Sequence, residues 1–156
     1  MLDKEIIELV KQIKSGIMIS TAESCTGGLL SAYLTSIAGS SKYFSSGIIS
    51  YSNDSKIKLL SVKKQTLEQF GAVSEEVAKE MALGSKAATR SDVAIAITGI
   101  AGPSGAVRQK PVGTVCFAIA TNDRLSSITH HLTGDRLEIR QQACKVALHL
   151  ILEYLN

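Results

Sequence analysis

Tryptophan is missing from this chain, and phenylalanine and tyrosine bring the aromatic content to only 4%. A surface that stacks nucleic-acid bases needs aromatic faces, so that class of partner is not expected. A formal net charge of +3 gives no electrostatic footprint for a polyanion either. Histidine is scarce, with His130, His131 and His149 only, and cysteine is limited to Cys25, Cys116 and Cys144. None has the H-x-x-x-H or C-x-x-C spacing that puts two ligands on one metal ion, so neither metal nor cofactor is expected. Three cysteines, odd in number and far apart, fit a reducing cytoplasm better than a disulfide framework. Long apolar runs are also lacking: nothing approaches the ~20 residues of a membrane-spanning helix. The N-terminal Met1-Leu2-Asp3-Lys4-Glu5 is acidic and amphipathic where a secretory leader would be basic and then apolar. The expectation is a cytoplasmic protein with no membrane partner.

What is present suits a single globular domain over residues 1–156, with 45% hydrophobic and 20% charged residues. The apolar pattern alternates between helical and extended periods. Ile6, Ile7, Leu9, Val10 and Ile13 recur at helical spacing, predicting a helix near 2–15. A buried strand follows at 17–21, a helix at 29–37, and a strand at 44–51 in which Gly47 marks a bulge or a close approach. A short helix is expected at 55–60 and a longer one from Ser74 to about Thr89, with Ser74 as its cap. The run Val93-Ala94-Ile95-Ala96-Ile97 is apolar throughout, as in a strand covered on both faces and therefore central. Strands at 112–121 and 125–132 are expected to pair across Asn122-Asp123, and a last helix runs from Leu137 to Ile151 behind the cap Asp135. The sum is an α/β fold, one three-layer α/β/α domain around a mixed sheet.

The chemistry-bearing residues collect where these elements end. Ala22-Glu23-Ser24-Cys25-Thr26-Gly27-Gly28 joins a strand to a helix. Small hydroxylated residues and two glycines there suggest free amides for an anion at the helix start; an ordinary capped connection is the plainer alternative. Gly39-Ser40-Ser41, then Tyr51-Ser52-Asn53-Asp54-Ser55-Lys56, then Thr98-Gly99-Ile100-Ala101-Gly102-Pro103 follow at further element ends. In open α/β sheets ligands bind beyond strand ends. Tyr51 and Lys56, five apart, face one pocket if a strand ends at the first and a helix has begun by the second. A lysine partly removed from water beside a serine loses its proton readily and acts as a base; a solvated helix charge is the plainer reading. Arg136 reads either as a phosphate clamp or as a surface arginine.

Taken in order, these loops, together with Gly71-Ala72-Val73-Ser74, Lys110-Pro111-Val112-Gly113-Thr114-Val115 and Gly134-Asp135-Arg136, resemble the CinA C-terminal domain over nearly the whole chain. That family contains the nicotinamide mononucleotide deamidases. The resemblance is to the stand-alone form, without the molybdopterin-binding-like domain that precedes it in many members. It departs after Pro103, where Ser104-Gly105-Ala106-Val107-Arg108-Gln109 replaces a loop that usually continues with an acidic residue or glycine.

The resemblance implies a hydrolase of pyridine nucleotide salvage, one that converts nicotinamide mononucleotide to nicotinic acid mononucleotide and ammonia. It implies a serine nucleophile with a lysine base, a small-molecule nucleotide substrate and a homodimer. Lys56 is the matching lysine, and Ser24 and Ser41 are the matching serines. Ser41 is favoured as nucleophile, with Ser24 relaying a proton or orienting the amide; the reverse assignment stays open. Tyr51 would hold lysine and substrate. Thr98 and the backbone of Gly99 to Gly102 would meet the ribose or the oxyanion, and Arg136 with Thr26, Gly27 and Gly28 would take the phosphate. Cys25 is expected to be buried and inert, with no histidine placed to activate it. A nucleotide-binding or regulatory module without chemistry, and a structural domain acting through an oligomer interface, are the alternatives.

Overall fold

The computed structural model describes residues 2–156. Five strands form one sheet: β1 (Ile19–Glu23), β2 (Phe44–Ile49), β3 (Val93–Gly99), β4 (Thr114–Ala120) and β5 (Leu125–His131). Their order is β2-β1-β3-β4-β5. Strands β1, β2 and β3 are mutually parallel, β4 is antiparallel to β3, and β5 is antiparallel to β4. The sheet is therefore mixed, and the strand expected to be central occupies the middle.

The alternation of side chains along β3 and β4 explains the three layers. Ile95, Ile97, Val115 and Phe117 point into a core with α1 (Lys4–Val10), α2 (Leu29–Leu34) and α6 (Arg136–Leu155). The intervening Ala96, Cys116, Ala118 and Ala120 face α3 (Asn53–Leu60), α4 (Lys64–Phe70) and α5 (Glu75–Thr89). Bulky residues on one face and small ones on the other, a period of two, let α5 lie close over the alanine side.

Helix ends are set by local chemistry. Asp3 Oδ1 caps α1 through the amides of Glu5 and Ile6, and Ser74 Oγ caps α5 through Val77. Ser52 and Ser55 form a capping box on α3, as Asp135 and Glu138 do on α6.

Several boundaries differ from the sequence reading. The first helix stops at Val10 and α2 at Leu34, both earlier than their apolar patterns extend. The first strand runs on to Glu23, which the pattern alone assigned to a loop. Helix α4 was not anticipated; of its residues only Leu67 is buried, too little to set a period. Gly47 is a close approach and not the bulge: a Cβ there would strike Ser31 Oγ on α2, while the register shift lies one pairing step into the β1–β2 ladder, between Ile19 and Ser20.

Candidate active site

The strand order creates the site. From β1 the chain passes through α2 on one face to reach β2, then returns through α3, α4 and α5 on the other face to reach β3. The loops leaving β1 and β2 thus diverge to opposite faces, and a crevice opens between their carboxyl ends. Ser24 follows β1, Tyr51 and Lys56 follow β2, and Ile100 follows β3.

Lys56 is the central group of this crevice. It is 1% exposed, and its Nζ lies 2.9 Å from Ser24 Oγ, 2.9 Å from Ser50 O and 3.3 Å from Tyr51 O. The capped start of α3 puts it one turn inside the helix, with the side chain turned back toward the end of β2. Removal from water pulls its ammonium down from the ordinary 10.5 to about 8. Charged, the lysine donates to all three oxygens. Neutral, it keeps two N–H groups for the two carbonyls, which can only accept. Its lone pair is then left for the Ser24 hydroxyl, so the roles of donor and acceptor exchange on that one contact.

Ser24 and Lys56 line a cleft of about 330 Å³, near the lower end of the usual range for small-molecule sites. Tyr51, Thr98, Gly99, Gly102 and Arg136 line it with them. Thr98 Oγ1 donates to Ala72 O at 2.8 Å, which ties the end of β3 to the segment before α5. Arg136 spans the mouth: Nη1 donates to Gly102 O at 2.6 Å and Nη2 to the Tyr51 hydroxyl at 3.0 Å. Gly102 has φ +78, in the left-handed region, and a Cβ there would press on Val112 Cγ1 at 2.5 Å. The apolar wall is made by Ala72, Val73, Ile100 and Ala101, and Asn53, Ser104 and Gly105 complete the polar rim.

Two groups of expected residues lie elsewhere. Ser41 is exposed on the 3-10 turn Ser40–Lys42, which precedes β2. Tyr51 follows that strand, and β2 is parallel to β1, so Ser41 sits at the amino edge of the sheet and Lys56 at the carboxyl edge. The six residues of β2 separate the two edges by roughly 20 Å at about 3.3 Å per residue. The expected pairing of Ser41 with Lys56 is therefore corrected: the serine beside the lysine is Ser24.

The second correction concerns Thr26, Gly27 and Gly28. Glu23, fully buried, already fills the start of α2: Oε2 accepts from the amides of Gly28 (3.0 Å) and Leu30 (3.1 Å), and Oε1 from the amide (2.9 Å) and hydroxyl (2.6 Å) of Ser31. A residue of the chain occupies the place expected for a ligand anion, and none of the three lines the cleft. The sequence signal was present, since an acid stands immediately before the hydroxylated turn.

Cys25 is buried, and loss of water pushes its thiol up to about 12, so it stays protonated. Among the described residues no cluster of three or more His, Cys, Asp or Glu has the arrangement to hold a metal ion, and no helix is long and apolar enough to cross a membrane.

Comparison with known proteins agrees with this architecture over the whole chain. The model of the CinA C-terminal domain matches residues 2–155. A CinA-like protein of Chloroherpeton thalassium is 49% identical over 159 residues, covering 99% of this chain and 37% of that protein. A CinA-like protein of Mycobacterium tuberculosis is 50% identical over 145 residues, covering 92% of this chain and 34% of its own length. The chain thus spans about a third of the curated relatives it matches. Among solved structures, the competence/damage inducible protein CihA of Agrobacterium tumefaciens superimposes with a TM-score of 0.96 at 39% identity, covering 100% of this chain and 99% of that one. A CinA superfamily protein of Escherichia coli gives 0.89 at 34% identity, covering 99% and 94%. The chain belongs to the CinA C-terminal domain family.

Proposed function

We propose that this chain is an amidohydrolase that converts nicotinamide mononucleotide to nicotinic acid mononucleotide and ammonia, with Ser24 as nucleophile and Lys56 as general base. The observation that carries the reading is the 2.9 Å contact between a buried lysine and a serine hydroxyl inside a cleft. A lysine pulled down to about 8 has an appreciable neutral fraction near neutral pH, which a base requires.

In the proposed reaction Ser24 Oγ attacks the carboxamide carbon while its proton passes to Lys56 Nζ. The negative charge gathers on the former carbonyl oxygen. Past Ile100, whose amide still bonds Thr114 O, the chain leaves the sheet, and the loop amides there are the groups available to that oxyanion. Lys56 returns the proton to the amide nitrogen, the C–N bond breaks, and ammonia leaves. Water then attacks the ester on Ser24, giving its proton through Lys56 to the departing serine oxygen, and the carboxylic acid is released. The apolar wall of Val73, Ile100 and Ala101 suits a flat ring. With the α2 start filled by Glu23, Arg136 is the cation left at the mouth for a phosphate.

The reading is tested by ammonia release from nicotinamide mononucleotide. Turnover by the intact chain, lost in Ser24→Ala and Lys56→Ala, supports it. Tight nucleotide binding without ammonia release would leave only a binding module.

A further inference from the structure

We propose that Glu23 and Arg140 are positioning residues that hold the turn bearing Ser24 from its two sides, one through the amides that follow it and the other through its carbonyls. The proposal rests on Ser24 being the reactive hydroxyl.

Glu23, the last residue of β1, reaches forward over the turn to the start of α2, as described above. Arg140 comes from α6, which packs on the same face of the sheet as α2. Its Nε donates to Cys25 O at 3.1 Å and its Nη2 to Thr26 O at 2.8 Å, across 115 and 114 positions of sequence. A fully buried carboxylate would ordinarily be expected to take a cation as partner. Among the described residues the ion pairs do not include one between Glu23 and Arg140. Glu23 is used on the amides and the Ser31 hydroxyl at the start of α2, and Arg140 on the carbonyls of the turn just before it. The carboxylate meets amides at the start of α2 and the guanidinium fork meets carbonyls of the turn, each matched to the sign of the dipole it faces.

The turn between them has no sheet or helix ladder of its own. Ser24 N donates to Ile97 O and Gly27 N to Ser24 O, both at 3.0 Å. Those two bonds fix the ends of Ser24, and Leu29 N donates to Thr26 O at 3.0 Å, leaving Cys25 outside these backbone bonds. Arg140 holds Cys25 O and Thr26 O from α6, and Glu23 anchors the start of α2 into which the turn runs. A displacement of about 1 Å at a nucleophile costs on the order of 10²-fold in rate, so a clamp on this turn acts on catalysis without touching substrate.

The test uses the full chain with Arg140→Gln, Arg140→Lys, Glu23→Gln and Ser24→Ala. Four quantities are read: kcat and KM for ammonia release, the rate at which diisopropyl fluorophosphate labels Ser24, and Tm. Arg140→Gln is expected to lower kcat at least ~10-fold with KM within about 2-fold, and to slow labelling in parallel. Arg140→Lys, whose single ammonium still reaches one carbonyl, is expected to recover part of both rates. Glu23→Gln is expected to follow Arg140→Gln, and if it does not fold, the Arg140 series decides alone. Wild-type kcat and labelling rate in Arg140→Gln, or losses matching only the unfolded fraction, would overturn the clamp. Turnover surviving in Ser24→Ala overturns the underlying reading instead. A dead Ser24→Ala beside a fully active Arg140→Gln overturns only the clamp. Labelling is read whether or not the amide is turned over.

Discussion

Lys56 Nζ lies 2.9 Å from Ser24 Oγ, although 32 positions separate the two residues in sequence. The contact forms because β1 and β2 are parallel neighbours whose carboxyl ends open on the same crevice. The lysine is, among the described residues, the only buried cationic side chain.

Substitution at Lys56 separates base from charge. Lys56→Arg keeps a cation that does not deprotonate in the working range, so kcat is expected to fall at least ~10²-fold while nucleotide binding persists. Steady-state kinetics beside calorimetric binding make the check; near-normal turnover in Lys56→Arg would mean the lysine serves only as a fixed positive charge.

The same residue sets two pH dependences. Burial lowers the folded pKa of Lys56 from 10.5 to about 8, so the neutral base accumulates, and kcat/KM is expected to rise, as pH climbs through about 8. For stability, the unfolded chain holds its proton up to 10.5 while the folded one releases it from about 8. Between those values the unfolded state binds more protons, and the Lys56 contribution to stability increases with pH across that window. Below pH 8 both states carry the proton and the burial penalty is present in full. Lys56→Met is therefore expected to be inactive yet more stable at pH 7, by roughly 1–3 kcal/mol in urea unfolding, as when buried charges give way to apolar residues.

Ser41 gives a contrast within one experiment. Standing exposed at the opposite edge of the sheet, it is expected to tolerate Ser41→Ala with kcat within about 2-fold, surface changes of this kind being small. A loss of ~10² or more would show that Ser41 reaches the chemistry by a route this conformation does not contain.

Packing of α3 on α5 offers a test of the fold apart from the site. A Cβ on Gly84 would overlap the backbone carbonyl of Leu60. Alanine gains about 1 kcal/mol in helix propensity, but the obstacle is backbone and cannot rotate away. Gly84→Ala is expected to destabilise by about 1–3 kcal/mol net, seen as a lower Tm. An unchanged or raised Tm would mean the two helices separate at no cost.

Much of this architecture is legible in the residues. The Ile-Ala alternation of Val93 to Ile97 announces a strand covered on both faces, and Ser74 and Asp135 announce their helices. The grouping of Ser24, Tyr51, Lys56 and Thr98 follows from their places at element ends. Ser41 shares that property yet lies at the wrong edge, because proximity to an element end does not say which edge of the sheet the end belongs to; strand direction does. Glu23 stands in a telling place before the hydroxylated turn, but what it bonds was not legible. Its side chain bonds amides five to eight residues ahead, a pairing with no periodic trace. Arg140 is one of two arginines on α6, and only the tertiary fold brings it under Cys25.

The most direct measurement is the site of the covalent intermediate. Nicotinamide mononucleotide is mixed with the intact chain, the reaction is quenched in acid within the first turnover, and the peptides are mapped by mass. The account predicts a nicotinoyl-ribotide ester on the peptide carrying Ser24, absent in Lys56→Ala. An adduct on Ser41 or Cys25, or ammonia release that persists at wild-type rate in Ser24→Ala, would contradict it.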